Sequence, residues 1–375
     1  MRRTTTILWV ALALLIAIGL VLVYSASTAE IRGALPFIKM QSAAAAVGLA
    51  AAIVLSRIDY RIWQKFAVLL PMAALCVALC LLALKFHPVK GSRRWLRLGS
   101  MLSIQPSELA RVVMVIVMSA WYAWIGSRSR TFLKGFLYPC LILGAMAAPV
   151  AVAPDLGASV VIAISCGTVM FAAKVPMRYL LPVMTICVVA AAVFIMSSGN
   201  RRDRILTYRD ALQGKESSQT TDYHRRQSLE AFVRGGPWGV GIGESLQKHK
   251  YLPEANTDFI FSIAGEELGL IATLGILSAF AAILVCGFYI AYHAPDRFGR
   301  LLALGLTTLL TFEAAFNIGM VTGCLPTKGL TLPFISYGGT SMASSFVAIG
   351  LILSVAASVP EAGSAPLARD ICRNV

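Results

Sequence analysis

Tyr251-Leu-Pro-Glu-Ala-Asn-Thr-Asp258-Phe-Ile-Phe261 joins a polar loop to an apolar helix with a carboxylate at the border. From Phe259 to Tyr292 the only charges are Glu266 and Glu267, so the stretch exceeds the roughly 20 helical residues that a bilayer core requires. One acid is thereby placed at a membrane surface. Two other polar strings stand at comparable borders: Gly91-Ser-Arg-Arg-Trp-Leu-Arg-Leu-Gly99 with Gln105-Pro-Ser-Glu108, and Pro326-Thr-Lys-Gly-Leu-Thr-Leu-Pro-Phe-Ile-Ser-Tyr-Gly-Gly339.

The 375-residue chain is 58% hydrophobic and 14% charged, with a mean hydropathy of +0.75. That balance excludes an ordinary soluble globule and predicts an all-α integral membrane protein. Apolar stretches run Ile7 to Tyr24, Gln41 to Leu55, Ile62 to Leu84, Leu109 to Ile125, Phe136 to Ala153, Leu156 to Ala173, Tyr179 to Met196, Phe259 to Tyr292, Leu301 to Cys324 and Tyr337 to Val359, about ten transmembrane helices. The second is short and the eighth long. Ser27-Thr-Ala29 after the first run has the look of a signal-peptide cleavage site, but that run is longer than a typical signal core and reads as an uncleaved span. The expected organisation is a single polytopic domain over residues 1–375, with a long extracytoplasmic loop at 197–257 between helices 7 and 8 and a short cytoplasmic tail at 360–375.

Orientation follows from Lys and Arg placement. Arg2 and Arg3, Arg57, Arg61 and Lys65, Arg128, Arg130 and Lys134, Lys174 and Arg178, and Arg297 and Arg300 fall on one side, which the positive-inside rule makes cytoplasmic, with both termini. The loops Lys85 to Arg97 and Ser197 to Thr257 then lie outside. The net charge of +15 is largely spent on orientation and predicts an anionic lipid surface or substrate and no nucleic acid. The eight cysteines sit mostly in apolar spans without a Cys-x-x-Cys pair, giving no disulfide framework or zinc site.

Within the outer loop, Gln227-Ser-Leu-Glu-Ala-Phe232 has the mixed faces of a short helix. Gly239-Val-Gly-Ile-Gly-Glu lacks the flanking strand and helix of a phosphate-binding fingerprint. Asp258 permits two readings: an acid complementing a helix N-terminus, or a general base whose apolar neighbours Phe259, Ile260 and Phe261 lower the local dielectric. Glu266 and Glu267 lie about two turns deeper and need partners there; Lys328 and Arg111 both qualify. Pro106 and Glu108 suit a helix start, and Arg111 at i+3 can pair with Glu108 as a structural bridge.

Arg93, Arg94 and Arg97 flank Trp95 on the outer face, where few cations are expected. They suit either a diphosphate seat or simple head-group anchoring. The Pro- and Gly-rich string from Pro326 to Gly339 reads as a re-entrant loop, with Lys328 its single charge, either substrate-facing or snorkelling. His87, His224, His249 and His293 have no ligand spacing. A diphosphate-handling site could still borrow a divalent cation, Mg or Mn, through oxygen ligands, and no organic cofactor is expected.

These strings resemble the SEDS family (shape, elongation, division and sporulation), the FtsW/RodA/SpoVE group, over essentially the whole chain to about Val359. Arg94-Trp95 with Leu98-Gly99, Gln105-Pro-Ser-Glu108, Pro154-Asp-Leu-Gly157, Gln227-Ser, Tyr251-Leu-Pro-Glu, Thr257-Asp-Phe-Ile-Phe261, Glu266-Glu-Leu-Gly269 and Ser336-Tyr-Gly-Gly339 occur in the family's order. Pro326-Thr-Lys-Gly-Leu-Thr331 is the form similar to that of the division members. The resemblance implies a peptidoglycan glycosyltransferase of the bacterial cytoplasmic membrane that polymerises lipid II on its outer face during septal synthesis. It makes Asp258 the catalytic base and places Arg93, Arg94, Trp95, Arg97, Lys328 and Ser336 against substrate, with Glu108, Arg111, Glu266 and Glu267 in support. Implied partners are lipid II, the undecaprenyl-diphosphate-linked glycan, a cognate class B penicillin-binding protein and other divisome proteins. The chain departs from the family pattern at Ala153, Arg111 and Thr340, where a polar residue, Lys and Ser are frequent.

Two other readings compete. A lipid II flippase would use Glu266, Glu267 and Asp155 as a polar path through the bilayer. A non-catalytic divisome scaffold activating a partner transpeptidase would tolerate loss of Asp258.

Overall fold

The computed structural model describes residues 1–28, 33–86, 95–98, 102–152, 156–196, 220–248, 254–326 and 329–360, together with 199 and 202. Arg93, Arg94, Asp155, Lys328 and the tail from residue 361 lie outside them. The described chain is almost wholly helical: α1 (Arg2–Ser27), α2 (Ala34–Arg57), α3 (Phe66–Lys85), α4 (Pro106–Ile125), α5 (Tyr138–Val152), α6 (Leu156–Ala172), α7 (Met177–Met196), α8 (Thr220–Gly235), α9 (Ile260–Glu267), α10 (Gly269–His293), α11 (Arg297–Val321) and α12 (Gly339–Ala357). Among the described residues eight helices are long and apolar enough to cross a membrane, and two shorter apolar ones accompany them. The second span runs from Ala34 to Arg57, well beyond its apolar stretch, because the helix continues through Lys39 past the hydropathy border at Gln41.

Two features depart from the expected pattern. Leu96–Leu98 (β1) and Leu102–Ile104 (β2) form a small antiparallel hairpin before α4, with Leu96 opposite Ile104 and Arg97 opposite Ser103. The long eighth span is broken at Leu268, where Gly269 takes φ +78. A break at membrane depth frees helix-end backbone groups that must find partners inside the protein. The glycine string provides them. Val240 N–H donates to Glu266 O at 2.9 Å and Gly241 N–H to Glu267 O at 3.1 Å, while Gly236 O and Pro237 O accept from Leu270 N (2.9 Å) and Ile271 N (3.2 Å). A Cβ on Gly269 would lie 2.3 Å from Gly239 N, so only glycine lets the strings pass this closely.

Small residues set the helix spacing. A Cβ on Gly350 would lie 2.9 Å from Ala52 Cα, which brings the α12 and α2 backbones close in the manner of membrane helix pairs. Outward-facing positions such as Val10, Val47, Phe171 and Val285 are more than half exposed, as suits a surface bathed in lipid rather than water.

One end is closed by polar clasps. Asp296 accepts from the Tyr60 hydroxyl (2.6 Å), Arg61 Nε (2.8 Å) and Gly299 N (2.7 Å). Arg297 donates to Ala173 O (3.0 Å) and Ser129 Oγ (3.2 Å). Arg61 and Arg297, two of the basic residues that the positive-inside rule would make cytoplasmic, lie in these clasps. The candidate site lies at the other end of α11, 20 residues from Arg297 to Asn317, or about 30 Å at 1.5 Å per residue.

Candidate active site

Asp258 stands one residue before Phe259, the N-cap of α9. Its turn is closed by Glu254 O, which accepts from the N–H groups of Thr257 (3.1 Å), Asp258 (3.1 Å) and Phe259 (3.3 Å). The next three side chains after Asp258 are buried: Phe259 is 7% exposed, Ile260 0% and Phe261 2%. Asp258 itself is half-buried. The turn is therefore anchored on its apolar side while the acid stays at the rim.

Three consecutive carbonyls of this turn each receive a donor from elsewhere. Tyr337 N–H donates to Asn256 O at 2.9 Å, Ser336 Oγ to Thr257 O at 2.6 Å, and Asn317 Nδ2 to Asp258 O at 2.9 Å. Two of the donors come from the re-entrant string and one from α11. The string is also braced against α2, where Gln41 Nε2 donates to Ser336 O at 3.1 Å. Phe334 within it holds φ +66, a strained conformation for a bulky residue, and is buried with its ring edge-on to Phe346 at 5.5 Å. Gly329 lies against the acid, and a Cβ there would be 2.4 Å from Asp258 Oδ2. The backbone that carries the acid and the loop form one hydrogen-bonded unit, with Gly329 against the carboxylate.

The hairpin reaches the same end. Thr340 Oγ1, in the first turn of α12, accepts from Gln105 N at 3.1 Å and donates to Ser103 O at 3.5 Å. Trp95 is half-buried at the start of β1, and Arg97 occupies β1 itself. Ser336, expected to touch substrate, is 3% exposed, and its hydroxyl also accepts Leu332 N–H at 2.8 Å. In this arrangement it holds the Asp258 turn.

Arg111 bridges Glu108 on its own helix and Glu313 on α11, and all three side chains are at most 7% exposed. Glu266 and Glu267 are answered by Arg234 and Lys248 rather than by Arg111, and Lys328, the other candidate, lies outside the described residues. Glu266 accepts from Ser245 Oγ, Leu246 N (3.1 Å) and Gln247 N (3.4 Å), with Arg234 at 3.5 Å. Glu267 accepts from Ser25 Oγ at 2.6 Å and pairs with Lys248 at 3.4 Å. Buried carboxylates survive only when charges and lone pairs are answered in this way. Ser245-Leu-Gln-Lys248 has the Ser-x-x-Lys spacing of acylating transpeptidases, but Ser245 and Lys248 are buried and bound to the two glutamates. α8 lies across α9, with Ser228 Oγ 2.8 Å from Ser262 Oγ and the Phe232 and Phe261 rings 5.7 Å apart and tilted by 53°.

A family model for the FtsW, RodA and SpoVE cell cycle proteins matches residues 5–360. The chain belongs to the FtsW/RodA/SpoVE family. A probable peptidoglycan glycosyltransferase FtsW of Geobacter metallireducens is 39% identical over 363 residues, 94% of each chain. Another, from Legionella pneumophila, is 37% identical over 351 residues, 91% of this chain and 88% of its own. A chain solved in work on the structural coordination of polymerization and crosslinking by a peptidoglycan synthase complex superposes with a TM-score of 0.76 at 25% identity, covering 94% of this chain and 98% of its own. The Thermus thermophilus rod shape determining protein RodA gives 0.69 at 24% identity, covering 94% and 96%. As an FtsW/RodA/SpoVE member the chain is a multi-pass membrane protein. Four residues of the site's frame escaped the sequence reading: Asn317, Glu313, Lys248 and Arg234. The available signal was the i, i+4 pair Glu313 and Asn317, two polar groups on one face of an apolar span.

Proposed function

We propose that this chain is a peptidoglycan glycosyltransferase that polymerises lipid II at the outer face of the bacterial cytoplasmic membrane, with Asp258 as general base. The observation that carries this reading is the three-donor clamp on Asn256, Thr257 and Asp258, which fixes one acid at the rim of a helical bundle. Names borne by relatives at 37–39% identity over nearly the whole chain supply the substrate class. Arg61 and Arg297 lie at the opposite end, which supports an outward-facing site.

In this reading the Asp258 carboxylate accepts the proton of the acceptor's GlcNAc 4-hydroxyl as that oxygen attacks the MurNAc anomeric carbon of the growing strand. The new C–O bond forms as the bond to undecaprenyl diphosphate breaks, and the diphosphate leaves with the electron pair. Attack from the opposite face inverts the centre to a β-1,4 link. Arg93, Arg94, Arg97 and Lys328 are assigned to the developing diphosphate charge, with Trp95 as an apolar platform. A single acid suffices because a diphosphate leaving group needs little protonation. Among the described residues no three His, Cys, Asp or Glu side chains gather to hold a metal ion. A divalent cation assisting this site would be held through oxygens, with the diphosphate and Asp258 as candidate donors.

Crosslinking is assigned to a separate class B penicillin-binding protein within the divisome, since the chain's own Ser-x-x-Lys pair is buried in structural bonds. Arg111 and Lys248 are each committed to buried glutamates, which weighs against a polar transport path. Purified protein, with and without its cognate transpeptidase, is to be given fluorescent lipid II. Glycan polymer is the expected product. Movement of intact lipid II across vesicles without polymer would support the transporter instead.

A further inference from the structure

Asn317 is a neutral side chain, 0% exposed, in the last part of α11. Its amide nitrogen donates to two carbonyls on different strings, Asp258 O at 2.9 Å and Leu330 O at 2.5 Å. Turning the amide over would set its oxygen against both carbonyls, so the orientation is fixed by its partners. The cost is an Oδ1 that is buried and, among the described residues, has no hydrogen-bond partner, an arrangement natural proteins retain rarely. A residue kept only for packing would not need it.

The two carbonyls flank the reacting group. One is Asp258's own, and the other belongs to the residue after Gly329, whose Cα sits against the Asp258 carboxylate. One planar group with two hydrogens therefore fixes both the backbone that carries the acid and the backbone that faces it. Serine has one donor, aspartate has none, and glutamine is a methylene too long for the gap. We infer that Asn317 is a positioning residue that sets the placement of the Asp258 carboxylate against the re-entrant loop. The inference rests on the reading of Asp258 as the base.

The test uses full-length protein in membranes with its partner transpeptidase and fluorescent lipid II as probe. Asn317→Leu keeps the volume and removes both donors, and is expected to lower kcat by about a hundredfold with KM within about threefold. Asn317→Ser, which retains one donor, is expected to fall between. The acid limb of the pH–rate profile should move in both variants, because the base it reports has changed surroundings. A purely structural role would scale the profile and leave the limb in place. Wild-type rates in Asn317→Leu, or reduced rates with an unmoved limb, would overturn the inference. Active Asp258→Asn would instead remove the reading beneath it.

Discussion

Ser336 donates its hydroxyl to Thr257 O across 2.6 Å while the same oxygen accepts Leu332 N–H at 2.8 Å. One buried hydroxyl thus joins the turn carrying Asp258 to the re-entrant loop and closes a bend within that loop. Ser336→Ala strands a carbonyl and an N–H together, a loss of about 1–3 kcal/mol. Thermal unfolding of the purified variant should show it, with polymerisation reduced in step. A variant of unchanged stability would mean that the loop is held by its other contacts alone.

Arg111 answers two carboxylates with one guanidinium, a task that a point-charged lysine does not reproduce. Arg111→Lys is expected to lower stability, and Arg111→Leu to lower it further, by about 3–5 kcal/mol, because two buried charges lose their partner. Adding Glu313→Gln to Arg111→Lys should recover part of the loss. Equal melting temperatures for wild type and Arg111→Lys would contradict the triad.

At the opposite end, burial pushes the Asp296 carboxyl up, but the bonds from Tyr60, Gly299 and Arg61 outweigh it and hold it below the usual carboxylate range. A lowered folded value means that this stabilisation is complete above the unfolded pKa of about 4 and is lost as pH falls through the folded value. Asp296→Asn should therefore cost on the order of 1 kcal/mol at neutral pH, mostly through Tyr60 and Gly299 because water screens the Arg61 pair. The gap to wild type should close in acid. Melting curves from neutral pH down to about pH 3 check the sign, and a gap that widens would refute it.

Gly269 combines φ +78 with a Cβ position 2.3 Å from Gly239 N. Gly269→Ala should cost about 1–3 kcal/mol and loosen the string from Gly236 to Lys248. Trypsin reports this directly, since the Lys248 side chain is 2% exposed and should be cut faster in the variant. Unchanged cleavage would show the glycine loop to be anchored independently of the helix break.

Hydropathy made most of the bundle legible because lipid demands long apolar helices, and the Asp258 border and the Glu108–Arg111 pair could be read from spacing. The rest depended on which polar groups meet across the fold. Nothing local says that Glu313 faces Arg111 or that Lys248 turns back to Glu267. The break at Leu268 was hidden inside a long apolar span charged only at Glu266 and Glu267, because its cause is the glycine string from Gly236 to Gly241, far earlier in the chain. The hairpin at Leu96 escaped because its strands are only 3 residues each, too short for an alternation to register. Lys39, which marks a border in hydropathy, is an ordinary helical residue within α2.

The base assigned to Asp258 is tested most directly by the initial rate of fluorescent lipid II polymerisation in reconstituted membranes, comparing wild type with Asp258→Asn at matched folding and partner binding. A nearly isosteric amide keeps the turn and removes the proton acceptor, so the rate should fall by about a thousandfold. Polymer formed by Asp258→Asn at a rate near wild type would contradict the account.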